Sequence, residues 1–397
     1  MSPRNSALER FRQHQKIPEK RWQRLAFPDV GLLLCWLALI VIGMVMVTSS
    51  SLSEAHVERL STHHFAIRQG IFYVGSSIFA YIAFMLGTNF YREKAKFILG
   101  LAFLGLLLVY APGIGVVVNG SRRWLNLGVI NLQVGEFAKL AVFIFTAAYL
   151  QHHTQRLDHS WQPIIGLLAV TACFALMFYL QPDFGTMVVI VATVLGMLFL
   201  SGVSIWRLLL LGVLIAPAMV WVLISESYRL RRLTTFINPW EYQYDEGYQL
   251  VNSLISFGRG GLFGVGLGES VQKHQYLPEA HTDFIFSIIA EETGLVGALI
   301  VMAILMILVW RAFAIGYLAD RMRKRFSSLL AYGIGLWLGL QSLINIGVTT
   351  GALPTKGLTL PLISYGGSSI LMTSIALAIL ARIDAESRFI ARLEGKI

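Results

Sequence analysis

The sequence predicts an all-α polytopic membrane protein with ten transmembrane helices, both termini cytoplasmic, and a large outer loop between helices 7 and 8. Three observations carry that expectation. Of the 397 residues, 56% are hydrophobic and only 14% charged, with a mean hydropathy of +0.65; a soluble chain of this length needs far more charge to cover its surface. The apolar residues are bunched into long runs free of Asp, Glu, Lys and Arg. The basic residues are spread unevenly over the segments that join those runs.

The runs are 30–47, 69–87, 97–119, 160–182, 184–206, 208–225, 293–310, 329–355 and 357–381. Each is long enough, or nearly so, to cross ~30 Å of hydrocarbon at ~1.5 Å per residue. A tenth, 133–151, is interrupted by Glu136 and Lys139 and is counted on charge grounds. With ten crossings and a cytoplasmic N-terminus, 21 of the 32 Lys and Arg lie inside: in the N-terminal tail, 92–96, Arg156, Arg207, 311–325 and the C-terminal tail. That is the positive-inside pattern, and dropping the tenth run would turn the basic 311–325 segment outward.

The net charge of +10 then reads as this bias plus attraction to anionic lipid, not as a nucleic-acid footprint. The first apolar run is too long for a cleaved signal, and no clean small-residue cleavage site follows it. Cys35 and Cys173 both sit in apolar runs and read as core packing, with no disulfide or metal framework. The chain divides into a basic cytoplasmic tail (1–27), a membrane domain (28–384) and a cytoplasmic C-terminal tail (385–397), with no internal repeat to support an inverted-repeat transporter.

The outer loop within 226–283 is long for a connection without a domain of its own, and such loops are usually functional. Its 248–257 stretch, YQLVNSLISF, has apolar residues at helical spacing and predicts an interfacial helix. Gly264, Gly266 and Gly268 follow; with no strand–turn–helix context they are not a dinucleotide fingerprint but permit tight turns or close approach of backbone to a ligand. The outer loop 49–68 is polar and carries no signal.

Titratable residues gather at the outer boundary. Glu279, His281 and Asp283 fall within five residues of LPEAHTDF, at the entry to the eighth run. Thr282 or Asp283 caps that helix on one reading; Asp283 serves as a general base on the other, and both require an ionised carboxylate. Glu136 and Lys139, three apart, share a helix face and are either a self-neutralising pair or a site where Lys139 faces a wet cavity that receives an anion. Asp183 in QPDFG reads as a turn residue. Arg122, Arg123, Arg229, Arg231, Arg232, Arg259, Lys273 and Lys356 run against the positive-inside bias; some are ordinary solvated charges, and as a cluster they suit phosphate or pyrophosphate. Trp124 belongs either to an aromatic belt or to a sugar-stacking platform. Pro361 and the Gly366–Gly367 pair break the last run near its outer end, which is tolerated at membrane depth only inside protein or along a cavity.

NGSRRWLNLG, GEFAKL, QPDFGT, the NPW–GYQ stretch at 238–249, LPEAHTDFIFSIIAEETG and PTKGLTLPLISYGGSS together resemble the signatures of the SEDS family, the FtsW/RodA/SpoVE proteins. The resemblance covers nearly the whole membrane portion. The basic N-terminal extension and the PTKGLTLP form favour the cell-division branch over the elongation branch.

The resemblance implies a peptidoglycan glycosyltransferase in the bacterial inner membrane, concentrated at the septum. It polymerises lipid II, a disaccharide-pentapeptide on undecaprenyl pyrophosphate, with inversion at the donor sugar. It implies a class B penicillin-binding protein as partner, the FtsI-type transpeptidase, with the FtsQ–FtsL–FtsB complex as activator. Asp283 matches the family's essential aspartate and takes the base role. Lys139, positioned by Glu136, would stabilise the leaving pyrophosphate with Arg122, Arg123 and Lys356. Trp124, Gln249, Lys273, Glu279, His281, Thr282, Ser364 and Tyr365 complete the expected substrate-binding set. A divalent cation, Mg or Mn, is expected only as a companion of the pyrophosphate. A lipid II flippase and a non-catalytic divisome scaffold remain the alternatives.

Overall fold

The computed structural model describes residues 26–395 other than 58, 60, 62, 119–120, 127, 129–130, 158, 225–230 and 232–234. The basic N-terminal tail, Arg229 and Arg232 lie outside the described residues. The chain runs α1 (Val30–Ser50), α2 (Leu52–Val57), α3 (His64–Met85), α4 (Gly87–Leu108), β1 (Gly115–Val118), β2 (Ser121–Asn126), β3 (Asn131–Gln133), α5 (Val134–His153), α6 (Gln162–Leu180), α7 (Phe184–Leu200), α8 (Ile205–Ile224), a 3-10 turn at Pro239–Tyr242, α9 (Tyr248–Gly260), α10 (Ile285–Arg321), α11 (Arg325–Thr349) and α12 (Gly367–Leu393).

Each of the ten apolar runs contains a helix. By length and composition, α1, α5, α6, α10, α11 and α12 each suffice to cross a bilayer, and α3 and α4 form a pair bent by 100°. The helix α7 and the first part of α8 are shorter. The molecule is thus a mostly helical multi-pass membrane protein. The helices α5 and α12 are buried over most of their length, whereas α1, α6 and α10 turn most of their surface outward, as expected where lipid replaces water as the solvent for apolar side chains.

Several boundaries differ from the sequence expectation. The 92–96 cations lie in the first turns of α4, not in a loop, because the chain reverses at Gly87, whose φ of +71° only glycine adopts cheaply. The third run does not stay helical to 119. Residues 115–133 instead form a three-stranded antiparallel sheet, ordered β1-β2-β3, with Val116 opposite Trp124 and Trp124 opposite Gln133. The fold is therefore not purely α. Val116–Val118 is β-branched and the strands are short, so an apolar run of this kind is not told from a helix end by hydropathy alone. The eighth run starts earlier, at Ile285, and is interrupted at Gly294 (φ +70°, ψ −170°). The last helix starts later, at Gly367, and continues through most of the segment expected as a tail. Cys35 is buried, but Cys173 is exposed rather than in the core.

Ion pairs tie the helix ends expected inside. Asp29 caps α1 by accepting from the Leu32 amide (2.8 Å) and also meets Arg388 of α12 at 2.8 Å. Glu386 of α12 meets Arg382 at 2.7 Å and Lys324 at 3.2 Å, and accepts from the Thr88 hydroxyl at the α3–α4 bend (2.6 Å).

The glycine-rich stretch after α9 has a structural use. Backbone N–H groups of Val265 and Gly266 donate to the carbonyls of Glu291 and Glu292, and those of Leu295 and Val296 donate to Gly261 and Leu262. A Cβ at Gly264 would lie 2.1 Å from the Glu292 carbonyl oxygen. The close approach expected of these glycines is thus to the chain's own backbone at the α10 break, whose freed polar groups must be paired within the protein.

Candidate functional site

Asp283 lies in the tight turns that precede α10. The Phe284 and Thr282 amides both donate to the Glu279 carbonyl (3.1 and 3.2 Å), which requires Glu279 to adopt φ +56°. The helix carries no side-chain cap. Thr282 gives its hydroxyl to Glu279 Oε2 at 2.6 Å, and among the described residues no hydrogen bond engages the Asp283 carboxylate. The capping reading is therefore corrected: the turn is closed by backbone, and the carboxylate is left over.

What faces Asp283 is the irregular segment 353–366 between α11 and α12. Gly357 lies directly against it, so that a Cβ there would be 2.7 Å from Asp283 Oδ2. Asn345 of α11 bridges the two strands of chain by donating to the Asp283 carbonyl (2.8 Å) and the Leu358 carbonyl (2.6 Å). Gln341 donates to the Thr359 carbonyl (2.9 Å), and Tyr73 to the Leu362 carbonyl (2.6 Å). Ser364 donates to the Thr282 carbonyl (2.6 Å) and accepts from the Leu360 amide (2.8 Å). The Tyr365 amide donates to the His281 carbonyl (2.9 Å). Non-helical backbone at this depth is tolerated because each such hook replaces a lost helical bond. Asn345, Gln341 and Tyr73 escaped the sequence reading. Their only signal was polarity inside an apolar run.

The electrostatics are mixed. Asp283 keeps a partly accessible surface but is set deep among these loops. Burial pushes its carboxyl up to about 7, Glu279 and Asp183 push the same way, and Arg123 and His281 oppose them. Arg123, on β2, donates from Nε to the Gln181 carbonyl (3.0 Å) and from Nη2 to the Pro182 carbonyl (2.5 Å), which leaves part of its fork unused. Asp183 accepts from the Thr186 amide (3.2 Å) and caps α7, as its turn reading expected. The Lys356 ammonium sits 4.4 Å from the centre of the Phe184 ring.

Other predicted residues are placed differently. Of the two readings of Lys139, the pair with Glu136 is found and the wet cavity is not. The lysine is fully buried, donating to Glu136 Oε1 (2.7 Å) and Gln341 Oε1 (2.8 Å) and lying 5.1 Å from the Trp337 ring centre. A lysine here is stable only because paired, and the pairing seals it. It acts on the site at one remove, since Gln341 in turn holds Thr359. Lys273 is likewise buried, in contact with Glu292 (2.9 Å), Ser49 (3.1 Å) and the Gly268 carbonyl. Arg259 meets Glu291 at 3.3 Å. Glu291 and Glu292, both buried, were passed over in sequence; two carboxylates inside an apolar helix were the available signal. These bonds hold 259–273 against α10 and α1. Arg122 is exposed on β2, Trp124 is half-buried in the sheet, and Gln249 is half-buried in α9, the helix expected at 248–257.

The loop 49–68, silent in sequence, contributes directly. Glu54 Oε2 of α2 lies 2.8 Å from His281 Nδ1. Phe65 and Tyr365 flank the His281 ring at centroid distances of 5.0 and 5.4 Å.

With this geometry in hand, comparison with known proteins is informative. A family model described as cell cycle protein, covering FtsW, RodA and SpoVE, matches residues 30–389. The chain is 45% identical over 359 residues to a probable peptidoglycan glycosyltransferase FtsW of Coxiella burnetii, covering 90% of this chain and 96% of that one. It is 46% identical over 352 residues to the FtsW of Legionella pneumophila, covering 88% and 89%. Among solved structures it resembles a chain of a peptidoglycan synthase complex that coordinates polymerization and crosslinking, with TM-score 0.74, 28% identity, and 91% and 98% coverage. It also resembles the rod-shape-determining protein RodA of Thermus thermophilus, with TM-score 0.67, 27% identity, and 92% and 98% coverage. A match across nearly the whole membrane portion, at these identities, makes the chain a member of the FtsW/RodA/SpoVE family of cell cycle proteins.

Proposed function

We propose that this protein is a peptidoglycan glycosyltransferase that polymerises lipid II for septal wall synthesis, with Asp283 as its general base. The observation that carries the reading is the Asp283 carboxylate itself. Its residue is anchored through its main-chain carbonyl by the Asn345 side chain, while the carboxylate is bonded by no neighbour among the described residues and is pushed up to about 7, where a base is most effective near neutral pH. Arg123 brings positive charge to it, and Lys356 precedes Gly357, which lies against the carboxylate.

In the reaction the acceptor sugar's 4-hydroxyl gives its proton to Asp283 as its oxygen bonds to the donor's anomeric carbon. The bond from that carbon to the pyrophosphate breaks on the opposite face, the lipid pyrophosphate departs, and the linkage inverts. Arg123, Arg122 and Lys356 offset the charge that develops on the leaving group in a poorly hydrated cleft. Glu136 and Lys139 act from beneath, by fixing Gln341 and hence Thr359. Ser364 and Tyr365 fix the 281–283 turn. Among the described residues no group of three or more His, Cys, Asp or Glu is arranged to hold a metal, so no step is assigned to one; a Mg or Mn ion would arrive with the pyrophosphate.

The same reading assigns ten crossings of the bacterial inner membrane with both termini inside, supported by the positive-inside pattern. It also assigns a class B penicillin-binding protein of the FtsI type as partner, activation through FtsQ–FtsL–FtsB, and residence at the septum; the likeness to a synthase complex supports the first of these. The test is polymerisation of lipid II in detergent by full-length protein with its penicillin-binding partner, where translocation is irrelevant. Asp283→Asn is expected to form no glycan. Wild-type polymerisation by D283N would overturn the base assignment, and no polymer from the unmodified protein would favour the flippase reading.

A further inference from the structure

Three successive carbonyls of the Asp283 turn are held by groups distant in the chain. The His281 carbonyl accepts from the Tyr365 amide (2.9 Å), and the Thr282 carbonyl from the Ser364 hydroxyl (2.6 Å). The Asp283 carbonyl accepts from Asn345 Nδ2 at 2.8 Å, and the same nitrogen donates to the Leu358 carbonyl at 2.6 Å. Of these three tethers, only Asn345 holds the residue that carries the carboxylate. With one group it grips the chain before α10 and the chain after α11.

Asn345 suits this task by its chemistry and its place. A side-chain amide is neutral and carries two N–H donors on one nitrogen, so it satisfies two backbone carbonyls without bringing a charge beside Asp283; a hydroxyl offers a single donor. Both acceptors are carbonyls, which fixes the orientation of the amide. The side chain is buried, and its Oδ1 accepts from no neighbour among the described residues, so the bridge consists of the two donated bonds alone. One helical turn earlier on the same face of α11, Gln341 donates to the next carbonyl of the segment, that of Thr359 (2.9 Å). Consecutive carbonyls, 358 and 359, thus hang on consecutive turns of one helix. Gly357, the neighbour of Leu358, is thereby set against the Asp283 carboxylate, where a Cβ would come within 2.7 Å of Oδ2.

We propose that Asn345 is a positioning residue for the glycosyl transfer: by tying the Asp283 main chain to Leu358, it holds the carboxylate against the 357–359 segment at the place where it meets the acceptor hydroxyl. This rests on the base reading of Asp283 and deepens it. Asn345 does not touch the reacting atoms. Losing its bridge frees residue 283 to move by about 1 Å, while Tyr365 and Ser364 still hold residues 281 and 282. A displacement of that size acts on the chemical step more than on substrate binding.

Two measurements on the full-length protein test this. The first, with its penicillin-binding partner, is steady-state polymerisation of lipid II. Asn345→Ala is expected to lower kcat about tenfold to a hundredfold and to leave KM within about twofold. Gly357→Ala moves the same carboxylate from the other side. The double variant is therefore expected to lose at most about threefold more than the weaker enzyme of the two, not the product of both losses. A raised KM with unchanged kcat, or losses that multiply, overturns the proposal. The second measurement needs no activity. Oxidative cross-linking of Asp283→Cys to Gly357→Cys, in a Cys35→Ala, Cys173→Ala background, reads the placement directly. A Cβ at 357 lies 3.6 Å from Asp283 Cγ, a separation that a disulfide closes. N345A is expected to slow the cross-link about fivefold or more, because the two thiols lose their fixed alignment. An unchanged rate, or no cross-link with Asn345 in place, overturns the proposal. Asn345→Asp keeps the shape of the side chain and cannot make both donations; it serves both measurements if N345A does not fold, and failure of both variants to fold makes the role structural and overturns the proposal. A polymerising D283N enzyme removes the base reading and this proposal with it, whereas an unchanged cross-linking rate removes this proposal alone.

Discussion

Gly357→Ala is a narrow perturbation of the site. The three nearest atoms a Cβ at this position would meet all belong to the Asp283 carboxyl group: Oδ2 at 2.7 Å, Cγ at 3.6 Å and Oδ1 at 3.9 Å. Ordinary contact begins near 3.4 Å, so the carboxylate must retreat by about 0.7 Å. Gly357 is itself exposed and its φ is outside the left-handed region, so alanine fits its backbone. The nearest group displaced is the end of one side chain that bonds to no neighbour among the described residues. A misplacement of 1 Å in a reacting group costs up to about 10²-fold, so 0.7 Å corresponds to roughly tenfold to thirtyfold in rate, about 1.4–2 kcal/mol in the barrier. Stability is expected to hold or rise slightly, because alanine restricts the unfolded chain more than glycine does. The assay pairs initial rates of lipid II polymerisation with thermal unfolding in the same detergent. A G357A protein with unchanged Tm and unchanged rate would refute the placement of Asp283 against this segment as the seat of the chemistry.

Two further outcomes follow from the same geometry. Because the Asp283 carboxyl is raised from the ordinary 3.8 to about 7, polymerisation is expected to fall about tenfold between pH 8 and pH 6 as the base is protonated. In the window between those two pKa values the folded protein binds this proton more tightly than the unfolded chain, so its contribution to stability rises as pH falls, opposite in sign to activity; Tm scans of wild type against D283N, which lacks the group, check the difference. Separately, Lys139→Met should destabilise by about 3–5 kcal/mol, since it leaves Glu136 buried without its cation, and the double variant with Glu136→Gln should recover much of that loss in a denaturation cycle. A K139M protein as stable as wild type would mean that the pair does not support the site.

Much of this protein is determined by its sequence alone. Hydrophobic runs and the sidedness of Lys and Arg identify a many-helix membrane protein, because a bilayer rewards length and apolarity residue by residue, with no need for long-range information. The motifs around Asp283 and 354–369 likewise point to family and chemistry, since both sit on contiguous stretches.

Only the tertiary structure decided the rest, and in each case the reason is a contact between residues distant in sequence. Hydropathy has no term for pairing, so 115–118 looked like the end of a helix until its partner strand at 121–126 was in place. Capping, a local rule, assigned Thr282 and Asp283 to the helix end, but the tertiary fold closes that turn through Glu279 and leaves the carboxylate free. In sequence Lys139 either pairs with Glu136 or faces water; the pair forms, and Gln341, 202 residues away, joins it in satisfying Lys139 in the dry interior. The loop that carried no pattern holds Glu54, whose meaning depends wholly on meeting His281. Local physics told which segments enter the membrane; which side chains share a site was settled by how those segments pack.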